Sequence, residues 1–146
     1  MFETVAFTEA VDVLATINPA SYNSAQTSAW VTLDKTDRLV AVAAVGAIAA
    51  SGTLDMKLRQ AKDASGTAAK DITGKAIVQV TQAGGGSNKV YAIEVRGIEL
   101  DTENGFSHVA VVLTPAVAAT IAGVLLLGTA ARHEPVAGTL WSQAVK

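Results

Sequence analysis

The sharpest pattern in the chain is the segment TLDMKLRQ, in which Leu54, Met56 and Leu58 alternate with Asp55, Lys57 and Arg59. A period of two places the apolar set on one face of a strand and the charges on the other, so a half-buried strand in a sheet with one wet face is expected here. Runs rich in β-branched and bulky apolar residues predict further strands at Val11–Ile17, Ser28–Leu33, Arg38–Ala44, Ala76–Thr81, Lys89–Val95, Ser107–Leu113 and Ala122–Leu127. Turn chemistry falls between them, at Asn18-Pro19, Asp34–Asp37, Ser51-Gly52, Asp63–Gly66, Gly84–Asn88 and Asn104-Gly105. Short strands punctuated at this spacing predict an all-β fold, a β-sandwich of jelly-roll-like type.

Two segments fit that pattern less simply. Phe7, Val11, Leu14 and Ile17 match helical spacing, but Val11, Val13, Thr16 and Ile17 favour a strand. Ile98–Asp101, between Gly97 and the Asn104-Gly105 turn, predicts a single helical turn crossing between sheets, and no long helix is expected. No charged residue occurs between His108 and Arg132, a run long enough to span a bilayer. Thr114-Pro115 interrupts it, however, and VAVVLT and AGVLLLG are each strand-sized, so two buried strands joined by a turn are expected there.

Both ends lie outside the strand pattern. The expected division is an N-terminal arm at 1–10, a domain at 11–128 and a C-terminal arm at 129–146, the two arms extended. Leu140-Trp141 is an apolar pair in an otherwise polar tail. It reads either as an anchor on another subunit or as a contact that folds back on its own domain. Phe2, Phe7, Leu140 and Trp141 are therefore the candidate interface residues.

Composition narrows the function. Half of the 146 residues are apolar, cysteine is absent, and there are only two histidines. The lack of cysteine excludes a disulfide framework and a thiolate metal site, and suits a reducing cytoplasm. Thirteen acidic and eleven basic residues leave a net charge of −2, with the basic ones scattered singly. Polynucleotides and anionic membranes call for a concentrated basic face, so neither is an expected partner. Glu3 and Glu9 stand where a secretory signal would carry Lys or Arg, and the opening reads as a mature N-terminus.

Candidate chemistry is sparse. His108 and His133 have no carboxylate or cysteine at metal-ligand spacing, so no metal site is expected. Ser51, Ser65 and Ser87 stand beside glycines without a nucleophile elbow. Gly84-Gly85-Gly86 lacks the Gly-Lys-Ser/Thr ending of a phosphate loop and reads as a flexible hairpin tip. Asp101–Gly105 misses the EF-hand order and reads as an Asn-Gly hairpin turn. Asp34, Asp37, Asp55 and Glu94 could supply a carboxylate pair only if folding set the right separation. Trp30, Tyr22 and Tyr91, candidate platforms for a glycan, do not cluster in sequence. The expectation is no enzyme and no cofactor.

Together, VDVLATINPASY, WVTLDKTDRLVAVAAVG, TLDMKLRQAKDASGTAAKDITGKAI, and RGIELDTENGFSHVAVVLT followed by LLLG resemble a group of small virion structural proteins of tailed bacteriophages. The likeness covers about Val11 to Arg132. Its most telling part is the strand LDMKLRQA leading into Lys62–Gly66 and then Lys70–Lys75. The resemblance implies a β-sandwich of the phage head region that decorates or cements the capsid. Its partners would be the major capsid protein and further copies of itself, plausible as a trimer. Its location would be the capsid surface of the virion, after assembly in the host cytoplasm. A head-to-tail connector or tail ring is the nearest alternative, and a glycan- or surface-binding sandwich module the next.

Overall fold

The computed structural model describes residues 5–131 and 140–145. After a single helical turn, α1 (Phe7–Ala10), the chain forms β1 (Asp12–Tyr22), β2 (Gln26–Thr27), β3 (Val31–Thr32), β4 (Thr36–Ile48) and β5 (Thr53–Ala61). It continues through β6 (Lys70–Ala76), β7 (Val80–Thr81), β8 (Lys89–Arg96), β9 (His108–Ala116) and β10 (Thr120–Ala131). The fold is all-β, with two antiparallel sheets. One has the order β1-β10-β4-β8; the other centres on β9 and β5, with β2 and β3 along β9 and β6 and β7 along β5.

The alternation in β5 sets the second sheet. Leu54, Met56 and Leu58 are buried, while Asp55, Lys57 and Arg59 lie on the other face. β9 pairs along the whole of β5 and sends Val109, Val111 and Leu113 into the same core. Leu39, Ala41, Ala43 and Val45 of β4, Ile93 and Val95 of β8, and Ala122, Val124 and Leu126 of β10 join that cluster from the first sheet. Each fully buried Leu or Met contributes about 1.5–3 kcal/mol.

Several boundaries differ from the sequence reading. Asn18-Pro19 is not a turn but lies inside β1, where the register shifts between Ile17 and Ala20. A bulge on an edge strand is where a residue without an N–H does no harm to a ladder. Thr114-Pro115 likewise belongs to β9; Pro115 pairs with Leu54 beyond the end of β2, where β9 is partnered only by β5. β9 and β10 also lie in different sheets, so the apolar run is a crossover whose turn is Val117–Ala119. Among the described residues no helix is long and apolar enough to cross a membrane.

The strand expected at Ser28–Leu33 shrinks to β3, with β2 just before it; between the two, Ser28 bonds Val111 through both its backbone N–H and its side-chain oxygen. The strand expected at Ala76–Thr81 is reduced to β7, and β6 ahead of it, at Lys70–Ala76, was not foreseen; only Ile72 of β6 is buried, which left no periodic signal. Gly84–Asn88 is no free hairpin tip. It joins β7 in one sheet to β8 in the other, and is pinned by the Tyr91 hydroxyl donating to the Gly86 carbonyl at 2.9 Å and the Ile48 N–H donating to Ser87 Oγ at 3.0 Å. Gly97–Glu99 and Thr102–Asn104 are short 3-10 turns that carry the chain between sheets, and Gly105 ends the second with φ of 84°. The expected Asn104-Gly105 hairpin turn is therefore a helix-terminating one. β10 runs to Ala131, past the boundary expected at 128.

Two substitutions test this architecture. Met56→Asp puts a charge where the side chain is buried among both sheets and should abolish cooperative unfolding in a urea melt, since the cost rivals the total stability of a domain. Val117 has φ of 67°, a conformation costly for a β-branched residue, and its backbone holds a tight turn closed by the Ala118 N–H on the Ala116 carbonyl at 2.8 Å. Val117→Gly should raise the melting temperature, by the equivalent of about 0.5–1 kcal/mol. An unchanged or lower value would remove the strain from that turn.

Candidate functional site

The two sheets differ in what they show to solvent. On the outer face of the second sheet, Lys57 Nζ and Arg59 Nε meet the Asp71 carboxylate at 2.8 and 2.9 Å, and Gln79 Nε2 donates to Asp55 at 2.7 Å. Lys75 pairs with Glu99 at 2.9 Å, Lys70 pairs with Asp101, and the Lys62 and Lys70 ammonium groups lie 5.4 and 4.2 Å from the centre of the Phe106 ring. These charges are satisfied within the chain.

The outer face of the first sheet is apolar. Since Leu39, Ala41 and Ala43 point into the core, Val40, Val42 and Ala44 point outward. The register sets them opposite Leu127, Leu125 and Gly123 of β10, and opposite Glu94, Ala92 and Val90 of β8. The one ion pair there, Arg38 to Glu94 at 2.7 Å, stands at a corner. Ile121, Leu125 and Val90 are 50%, 42% and 68% exposed. A hollow of about 340 Å³ opens between Pro19 of β1 and Ile121 of β10, lined also by Val42, Ala44 and Leu125. Gly123 lets Pro19 close over β10 to form one wall of it: a Cβ there would stand 3.0 Å from Pro19 Cγ.

This surface was not among the candidate residues read from the sequence. Its signal was present, because LVAVAAV in β4 and IAGVLLL in β10 are continuous apolar runs. A strand with one wet face usually alternates, whereas a continuous run puts apolar residues on both faces.

Of the candidate interface residues, Phe2 lies outside the described residues. Phe7 is half exposed on α1. Leu140, 56% exposed, lines a second hollow of about 250 Å³ with Val13, Val31 and Asp12. The Trp141 indole N–H donates to the Val11 carbonyl at 3.2 Å, which sets Leu140-Trp141 against the start of β1 in its own chain. No part of this pair lines the Pro19–Ile121 hollow.

The polar candidates are dispersed. His108 Nδ1 lies 2.9 Å from Ser107 Oγ, and His133 is outside the described residues. Among the described residues no three His, Asp or Glu side chains gather at metal-binding distance. Asp34 accepts from Thr32 Oγ1 at 2.7 Å, and Asp101 accepts from Asn104 Nδ2 at 2.8 Å as well as from Lys70. The aromatic rings are engaged separately. Trp30 lies over Gly66, the Tyr22 hydroxyl donates to the Asn18 carbonyl, and Tyr91 is bound to Gly86.

Asp71 carries a measurable pH signature. The hydrogen bond from Lys57, and then the charges of Lys57 and Arg59, hold its carboxyl below the usual range. A carboxyl lowered in the folded state contributes stability that is present above its unfolded value near 3.9 and lost as pH falls through the folded one. Asp71→Asn should therefore cost under about 1 kcal/mol at pH 7, given its exposure, and less at pH 2, where the carboxylate's contribution is being lost. Urea melts at the two pH values check this.

Comparison of the chain with protein-family models, with curated proteins and with solved structures finds no match.

Proposed function

We propose that this chain is a structural assembly protein that works by packing against protein neighbours, as a decoration or cement protein on the capsid of a tailed bacteriophage. In that role it binds and stabilises the major capsid shell, has no catalytic activity, and needs no cofactor. The observation that carries the reading is the largely apolar outer face of β1-β10-β4-β8, whose charges (Arg38, Glu94 and Arg96) lie together at one end. A contiguous exposed apolar patch on a folded chain is often a functional surface. An apolar face gains free energy when a neighbour covers it, and a cement protein adds such buried area between shell subunits.

Strand order supports the finer fold reading, a jelly-roll β-sandwich. With β2 and β3 counted as one broken strand, and β6 and β7 as another, the pairings are first with last, second with seventh, third with sixth and fourth with fifth. That is the order of a long hairpin wrapped into two sheets, an architecture found in viral capsid domains and in lectins. The lectin-like alternative lacks support in the site, since Trp30, Tyr22 and Tyr91 form no common platform. A connector or tail ring uses the same apolar packing and differs in copy number.

Quantitative mass spectrometry of purified particles against the major shell protein separates these readings. Hundreds of copies per particle are expected for decoration, about a dozen or fewer for a ring, and absence from particles overturns the virion role. Deleting 139–146 should leave the domain folded, because the contact of Trp141 with Val11 lies outside the core cluster, while lowering occupancy on particles. Loss of the folded domain would place the tail in the core instead.

A further inference from the structure

We infer that the hollow where β1 and β4 of the first sheet meet β3 of the second is a binding site for a primary alkylammonium group, the head of a lysine side chain or of a small free amine. It shares no lining residue with the hollow between Pro19 and Ile121, so this inference and the assembly reading stand or fall separately.

Two orphaned oxygens mark the site. Asp12 and Thr36 both line this hollow and are only 6% and 1% exposed, yet Asp12 Oδ1 and Thr36 Oγ1 have no hydrogen-bond partner among the described residues. Buried polar groups are nearly always paired, because an orphan bears the full cost of leaving water. Asp12 stands opposite Gly128 across β1 and β10. Cross-strand partners project to one face, and a Cβ on Gly128 would lie 3.0 Å from Thr36 Oγ1, so the missing side chain leaves both groups bordering one gap.

The lining selects the ligand. An ionised carboxyl only accepts hydrogen bonds and a threonine hydroxyl accepts as readily as it donates, so the partner these oxygens call for is a donor. Asp12 and Asp34 both border the hollow, and a donor that carries positive charge gains most beside them. Val13, Leu14, Val31 and Leu140 form the apolar part of the lining, which suits an alkyl stem behind a charged head.

Other occupants fit less well. A calcium ion takes about six to eight oxygens, and among the described residues no three His, Asp or Glu side chains gather to begin such a shell. A guanidinium brings more N–H groups, fixed in one plane, than two oxygens on separate strands can meet. One water takes up about 30 Å³ in the liquid, whereas the hollow measures about 250 Å³. Lys35 is the rival within the chain. It lines the hollow but is exposed, and neither it nor Asp12 joins an ion pair among the described residues, so its charge opposes a second cation without meeting the carboxyl.

Proton–nitrogen correlation NMR of the full chain, titrated with n-butylammonium chloride to about 50 mM at constant ionic strength, tests this. Saturable shifts of the Val13, Thr32 and Thr36 amides are expected, and none with tetramethylammonium, which has no N–H to donate. Asp12→Asn should weaken butylammonium binding about tenfold or more, and Thr36→Val about threefold. Lys35→Gln should tighten it. Asp55→Asn, which changes a carboxyl on the outer face of the second sheet, should leave it as it is. If circular dichroism finds the Asp12 variant unfolded, Thr36→Val, which keeps the side-chain shape, decides. No shifts at these amides, equal shifts with tetramethylammonium, or binding that survives both Asp12→Asn and Thr36→Val would each overturn the site. Nα-acetyl-lysine methylamide separates the two sources: binding that matches butylammonium supports the site with a protein neighbour's lysine as the occupant, and binding of butylammonium alone supports it with free amines.

Discussion

The structure depends on one layer of side chains shared by two sheets. Leu54, Met56 and Leu58 from β5 and Val109, Val111 and Leu113 from β9 close against Leu39, Val95, Val124 and Leu126 from the facing sheet. No disulfide joins the sheets, so this burial and the chain crossings hold them together. Two of the crossings are short, pinned segments: Gly84–Asn88 by Ser87 and Tyr91, and the 3-10 turns before β9 by the Asp101 N–H donating to buried Gln60 at 2.8 Å.

From that shared layer the outer faces diverge. The second sheet carries its charges where they neutralise one another, and gains little stability from each exposed pair. Their effect is on solubility and on keeping this face from associating. The first sheet has no such rim over most of its area. Of the charges on the two outer faces, most stand on this second sheet, and the first is left largely apolar, with Arg38, Glu94 and Arg96 at one end.

The small residues of β4 and β10 shape that largely apolar face. Gly46 and Gly123 let neighbours close over them: Ile121 lies 3.3 Å from where a Gly46 side chain would begin, and Pro19 3.0 Å from where a Gly123 side chain would. A larger residue at Gly123 would push Pro19 of β1 away from β10. Face and core are separable: alternate positions on the same strands serve each.

By itself the sequence determined the all-β class, the face that β5 buries, and most strand centres, because a period of two and local turn chemistry are properties of neighbouring residues. It also carried the continuous apolar runs of β4 and β10, although a run alone does not say what lies on either side. Tertiary structure decided the rest. Asn18-Pro19 and Thr114-Pro115 became strand because they fall where a ladder lacks a partner, which depends on which strands lie alongside. β6 formed beside β5 although its own pattern is weak, with Asp71 drawn to Lys57 and Arg59. The apolar face exists only once Val42, Leu125 and Ala92, far apart in the chain, are brought into register, and backbone hydrogen bonds between strands, rather than any local preference, set that register.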